Sequence, residues 1–212
     1  LNFFKIKKKI KKKILQNNKK IKFNTTFKKS EIQNYDKIIL STYDQNNKIL
    51  NSLGIREKKS FKYELVEKII IKLPKQYNNK SYMVLDGKFI CIDPYLGTKY
   101  HLLSDVKSSK LEIVKSKFPL FKNYKKKFLN KGMIKNKKIS NYDIFLTNGL
   151  KYLSFLNKSK YIGSFFVTRA LQINKEKTDE RLNEISKHGN KIISIFSGKW
   201  NTCVGVARNV SD

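Results

Sequence analysis

The sequence predicts an α+β protein, with a mainly helical C-terminal half carrying one β-hairpin, a small β-rich middle segment and a basic N-terminal extension. Three observations carry that prediction. Apolar residues recur at near-helical spacing after Pro119, over 121–134, 141–157 and 162–186. Tyr82-Met83-Val84-Leu85, Asp86-Gly87 and Lys88-Phe89-Ile90-Cys91-Ile92 read as strand, two-residue turn and strand. Residues 1–30 hold twelve lysines and no acid, the first carboxylate being Glu31. The expected boundaries are 1–60 for the extension, 61–115 for the β-containing segment and 116–212 for a helical RNA-binding domain with its hairpin at 188–199.

Taken in order, Phe3, Ile6, Ile10 and Ile14 stand at helical spacing among lysines, so the start of the chain can form a basic amphipathic helix. That pattern suits an arm that orders against RNA phosphates, a helix on a membrane surface, or a targeting peptide, though the last is usually rich in Arg and Ser. Tyr35 to Tyr43 reads as a short strand or a helical turn. The run from Val66 to Leu73 ends at Pro74, and Asp93 to Thr98 is loop material. In 121–134, Phe128, Leu129 and Met133 share one apolar helix face flanked by lysines, with Gly132 making the helix less regular. Asn136 then suits the left-handed backbone of a turn, and the apolar periodicity resumes from Ile144 to Leu156. The third helix carries Phe165, Phe166, Ala170, Leu171 and Ile173, with Glu176, Asp179, Glu180 and Glu184 in its second half. His188-Gly189-Asn190 ends it, Ile192 to Phe196 forms a short apolar strand, Ser197-Gly198-Lys199 turns, and Trp200 to Val210 returns.

Charge narrows the function. The chain of 212 residues has 47 Lys+Arg against 16 Asp+Glu, a formal +31. Self-repulsion on that scale opposes compaction until a polyanion neutralises it. Only Arg56, Arg169, Arg181 and Arg208 are arginine, so the other 43 basic residues are lysines. Lysine neutralises phosphate as a point charge and lacks the fork that reads base edges, which favours shape-and-phosphate recognition of structured RNA. The excess of Lys, Asn, Ile, Phe and Tyr is also what an AT-rich, organelle-encoded gene writes, and a mitochondrion is its natural home.

Other chemistries find no foothold. Cys91 and Cys203 are far apart without a CxxC spacing, and zinc would lack ligands. Asp86 and Asp93 read as turn and strand-end residues, and His101 and His188 stand beside no Cys or carboxylate pair. No P-loop, GxGxxG, nucleophile elbow or HExxH occurs. The expectation is a protein that is not an enzyme, with no cofactor, no metal, no small-molecule substrate and no membrane span.

Lys127-Phe128-Leu129-Asn130-x-x-Met133-x-x-Asn136-Lys137-Lys138 resembles the K-F-I-N-x-x-M-x-x-G-K-K helix-turn signature of small-subunit ribosomal protein family seven, with Asn136 in place of the turn glycine. Phe166, Ala170, Leu171 and Asn174 are similar to its V-F-x-x-A-L-x-N with insertions, and His188 through Lys199 resembles its β-hairpin. The likeness covers 120–200; the proline after the third helix is missing, and the final helices would lie beyond Asp212. A second likeness, Gly189-x-Lys191-Ile192 with Ser197-Gly198-Lys199, Asn201 and Ala207-Arg208, is to small-subunit ribosomal protein family three. Family seven implies a head protein of the small subunit that binds rRNA, touches neighbouring ribosomal proteins and lies near the mRNA path and exit-site tRNA. On that resemblance Lys125, Lys126, Lys127, Lys131, Lys135, Lys137 and Lys138 neutralise phosphates. Arg169 and Arg181 make forked phosphate contacts, and the hairpin with Lys191 and Lys199 reaches along the RNA. The alternative is a basic supernumerary subunit that holds another organellar complex together without RNA.

Overall fold

The computed structural model describes residues 3–17, 19–85, 90–175 and 181–211. The described residues carry nine strands in two sheets, so the expectation of a mainly helical C-terminal half is overturned. The chain divides into two compact units, residues 1–25, 66–111 and 123–167, and residues 26–65, 112–122 and 168–212.

The first unit opens with α1 (Phe3–Gln16), the amphipathic basic helix that the isoleucine spacing predicts. Its core is a sheet. Strand β2 (Phe61–Lys72), whose residues 66–72 belong to this unit and 61–65 to the second, is buried almost without alternation, and the apolar run Ile69-Ile70-Ile71 belongs to a strand covered on both faces. Strand β3 (Tyr82–Met83) pairs antiparallel with β4 (Ile90–Tyr95), and β4 with β5 (Tyr100–Asp105). β5 in turn pairs with β2 through Ile69 opposite Leu103 and Ile71 opposite His101. Strands thus pair on both sides of the predicted turn, though β3 stops at Met83, short of Val84 and Leu85, and the Asp86-Gly87 turn lies outside the described residues. β6 (Lys110–Ser116) and β7 (Lys160–Gln172) also pair with β2, and like β2 each is divided between the units, after residues 111 and 167. Helix α3 (Tyr142–Leu150) lays Tyr142 and Phe145 on Ile69, Ile71, Leu73, Ile90, Ile92 and Leu103. Burying a side chain of that size is worth roughly 1.5–3 kcal/mol, which is why a helix of nine residues holds.

The second unit joins β1 (Ile38–Leu40) in parallel to β9 (Ile192–Phe196), which pairs antiparallel with β8 (Glu184–His188). Helix α2 (Asn46–Ser52) covers them, with Leu50 and Leu53 against Ile38, Leu40 and Ile192. Phe61 stacks on Phe196 with ring centroids 4.4 Å apart. Asn46 joins helix to strand, its amide donating to Ile195 O at 2.8 Å while its Oδ1 accepts from the Thr42 backbone and hydroxyl.

Each predicted C-terminal helix meets a physical correction. Residues 121–134 form only a 3-10 turn (Tyr124–Phe128) followed by extended chain, because Asn130 (φ 58°) and Gly132 (φ 74°) adopt left-handed backbone that ends any helix. Asn136, expected in that conformation, has φ −87° and instead caps the next turn. The 141–157 helix breaks after Leu150 into α3 and a 3-10 turn (Ser154–Lys158). Over 162–186 the chain makes β7 and β8; the neighbours Phe165 and Phe166 meet different partners, Tyr95 and Phe128, as period-two side chains do. Glu176, Asp179 and Glu180 lie outside the described residues. Ile192 to Phe196 is the predicted strand, but its hairpin partner precedes it, across a turn where Gly189 has φ 60°. The returning segment is helix α4 (Cys203–Ser211).

Candidate nucleic-acid interface

Residues 124–138 contain seven lysines and no acid, and all fall in the first unit. A segment of that charge has no reason to hold one shape unless neutral contacts impose it. Backbone bridges supply the first of these. Ile134 and Ser164 exchange both of their N–H···O bonds at 2.9 Å, and Leu129 bridges to Phe166. Met133 packs so closely over β7 that a Cβ on Gly163 would lie 2.6 Å from its Cγ; only glycine gives that approach. Phe128 packs on Phe166 with ring centroids 5.5 Å apart. Asn123 and Asn136 cap the two 3-10 turns, their Oδ1 atoms accepting from the N–H groups of Lys125 and Lys138.

The second restraint is a buried carboxylate. Glu67, inside β2 and fully buried, accepts from the Ser140 hydroxyl at 2.6 Å, the Ser164 hydroxyl at 2.7 Å and the Asn141 backbone N–H at 3.1 Å. Asn141 Oδ1 then accepts from Lys125 Nζ at 2.9 Å, which leaves Lys125 only 7% exposed. Burial pushes the Lys125 pKa down, and the negative charge of Glu67 opposes that fall. Three donors on one carboxylate, with an ammonium nearby, tie the chain at 140–141 to the sheet and so fix where the lysine segment ends.

The predicted contact residues thus separate into distinct environments. Lys125 points inward and serves the fold. Lys126, Lys127, Lys131, Lys135 and Lys138 are exposed along the fixed segment. Lys127 lies over Phe128 (5.1 Å to the ring centroid) and Tyr124 (5.6 Å). Lys137 is exposed but pairs with Asp143 at 2.7 Å and lies over the Tyr142 ring; the Asp143 hydrogen bond raises its pKa. In the second unit, the Arg169 guanidinium is taken by buried Glu64, with Nε donating at 2.6 Å and Nη2 also engaged. The fork expected to meet phosphate is closed on a carboxylate. Arg181 is half-buried against Gly198, where a Cβ would overlap its carbonyl. Lys191 is half-buried, with its carbonyl accepting from Ile38 N–H at 2.8 Å, and Lys199 is exposed beside that same turn of chain.

Sequence reasoning overlooked Glu67, Ser140, Ser164 and Gly163. The available signal was an acid next to the apolar run that ends at Leu73, since a carboxylate buried there has to be satisfied by donors from elsewhere in the chain. Interior use of acids also sharpens the electrostatics. Glu64, Glu67 and Asp105 are all buried and internally bonded, so none of these three acids lies at the surface beside the exposed lysines. Among the described residues no group of His, Cys, Asp and Glu is placed to hold a metal, and no helix is long and apolar enough to cross a membrane. No protein-family model matches the chain, and no curated protein matches it in sequence.

Proposed function

We propose that this chain is a structural constituent of an organellar small ribosomal subunit, held to folded rRNA by lysine–phosphate contacts centred on residues 126–138. One observation carries the reading: five exposed lysines lie on a segment that holds no acid and is fixed by Glu67, Gly163 and backbone bridging. A solubility surface needs no such fixation, whereas a phosphate array matched to a folded RNA does. Lysine in place of arginine supports backbone recognition, and the Lys/Asn/Ile-rich composition supports an AT-rich organellar gene, most simply mitochondrial. The proposal keeps the particle and gives up the helical head-protein fold, because β7 occupies the place of the third family-seven helix. Neighbouring ribosomal proteins then complete its contacts, and no reaction is assigned to it.

The test is sedimentation and crosslinking of the tagged full chain in organelle lysate. Co-migration with the small particle and crosslinks from 126–138 to rRNA are expected. Recovery of protein and lipid without rRNA would support the supernumerary-subunit alternative and defeat the ribosomal one. If about eight phosphates are neutralised, the log–log salt slope for RNA binding is about −6 to −7.

A further inference from the structure

A cavity of about 420 Å³ opens in the first unit and takes no part in the lysine segment. One wall is the turn after β5, with Asp105, Lys107 and Ser108; the other is the end of α3 and the residues after it, with Asn148, Lys151 and Tyr152. Its size falls in the roughly 300–1,000 Å³ range of small-molecule sites.

The polar groups are aimed before any ligand arrives. Asp105 is buried, and its Oδ1 accepts from the N–H groups of Lys107 (2.8 Å) and Ser108 (2.9 Å). Its Oδ2 accepts from Asn148 Nδ2 at 2.8 Å, and the same nitrogen donates to Ser108 Oγ at 3.1 Å. The Asn148 amide nitrogen is therefore committed to the protein and its orientation fixed, while its Oδ1 accepts nothing from the described residues. An acceptor held this way favours a ligand that brings a donor, such as the N–H of a base edge. The Asp105 charge does not repel an incoming anion at full strength, because three donors already engage the carboxylate. At the rim stand the exposed Lys107 and Lys151, and Tyr152, 59% exposed, offers a ring without an aromatic partner among the described residues.

A fixed acceptor, an open aromatic face and two ammonium groups are the parts that one nucleotide needs: base edge, base face and flanking phosphates. We propose that this cavity receives a single unstacked nucleotide from a single-stranded stretch of the bound RNA. Its base lies on Tyr152 and donates an amino or imino N–H to Asn148 Oδ1, and its phosphates lie at Lys107 and Lys151. The inference rests on the reading of this chain as an RNA-binding protein, and it adds base recognition where the lysine segment offers only charge.

The experiment uses the full chain and a mixed-sequence 12-nucleotide RNA, compared with an oligomer of equal length in which every base is replaced by an abasic sugar. Tyr152→Ala should weaken binding of the normal RNA roughly tenfold, Tyr152→Phe should restore it because the ring supplies the stacking, and neither change should alter binding of the abasic oligomer. Asn148→Ala should also weaken the normal RNA alone. Ultraviolet crosslinking of the wild-type complex should join a base to the peptide containing Tyr152. Equal loss on both oligomers, or crosslinks confined to 124–138 with Tyr152→Ala unchanged, would overturn the pocket and leave the RNA reading standing. Failure of the wild-type chain to bind either oligomer would overturn both.

Discussion

Two buried glutamates three residues apart in β2 do opposite work in the two units. Glu67 gathers neutral hydroxyls and a backbone N–H, with Lys125 behind them, and by ordering the chain at 140–141 leaves the lysines of 126–138 facing outward. Glu64 gathers charge directly: Arg169 closes on it, and Lys62 approaches its other oxygen at 3.7 Å. The first arrangement converts a buried acid into a fixed cationic surface, while the second commits a partly exposed guanidinium to a carboxylate. A count of basic residues therefore overstates what the second unit presents to a partner, and understates how well the first unit holds what it presents.

The largest way to break this contrast is at Glu67. Glu67→Ala strips the acceptor from Ser140, Ser164 and Asn141 and leaves Lys125 buried without its counter-charge. About 3–5 kcal/mol of stability should be lost in urea denaturation, with Glu67→Gln losing less. Arg169→Met removes the guanidinium that closes on buried Glu64; because that guanidinium is partly exposed and Lys62 still approaches the carboxylate, the expected loss is smaller, about 2–3 kcal/mol. RNA affinity of the folded variant should not change, which separates Arg169 from the exposed lysines.

Phe128→Ala should cost about 2 kcal/mol, toward the lower end for a large-to-small change, because the ring is only half-buried against Phe166. The smallest effect concerns pH. Burial pushes the Asp105 carboxyl up, but hydrogen bonds from the Ser108 backbone, the Asn148 amide and the Lys107 backbone outweigh it and hold the carboxyl below its usual value. A folded value below the unfolded one means that this stabilisation is present above about pH 4 and is lost as pH falls through the folded value. Thermal melts of Asp105→Asn should show a flatter acid limb than those of the wild type, and an identical limb would remove Asp105 from the account.

How much of this was legible follows from the same residues. The Asp86-Gly87 pair between two apolar runs marked Tyr82 to Ile92, and the apolar run marked Ile192 to Phe196. Helical spacing also marked Phe3 to Ile14. β7 was misread because its apolar residues do not alternate strictly with polar ones, so that Phe165, Phe166, Ala170 and Leu171 satisfy helical spacing as readily as strand spacing. Residues 121–134 were misread because two left-handed residues, Asn130 and Gly132, decide the backbone there, and the lysines around them carry no preference that opposes a helix. The lysine corner itself was visible in the sequence. Its separation into a buried Lys125, a Lys137 paired with Asp143 and five further exposed lysines was not, since that depends on Glu67, Asn141 and Asp143 brought in by folding.

The most direct test is the salt dependence of RNA binding by the full chain with Lys126, Lys127, Lys131, Lys135 and Lys138 all changed to Gln. A log–log slope shallower by about 3–4 than the wild type is expected, with urea stability retained, while Arg169→Met keeps the wild-type slope. A five-lysine variant whose slope equals that of the wild type would contradict the claim that this segment is the phosphate-binding surface.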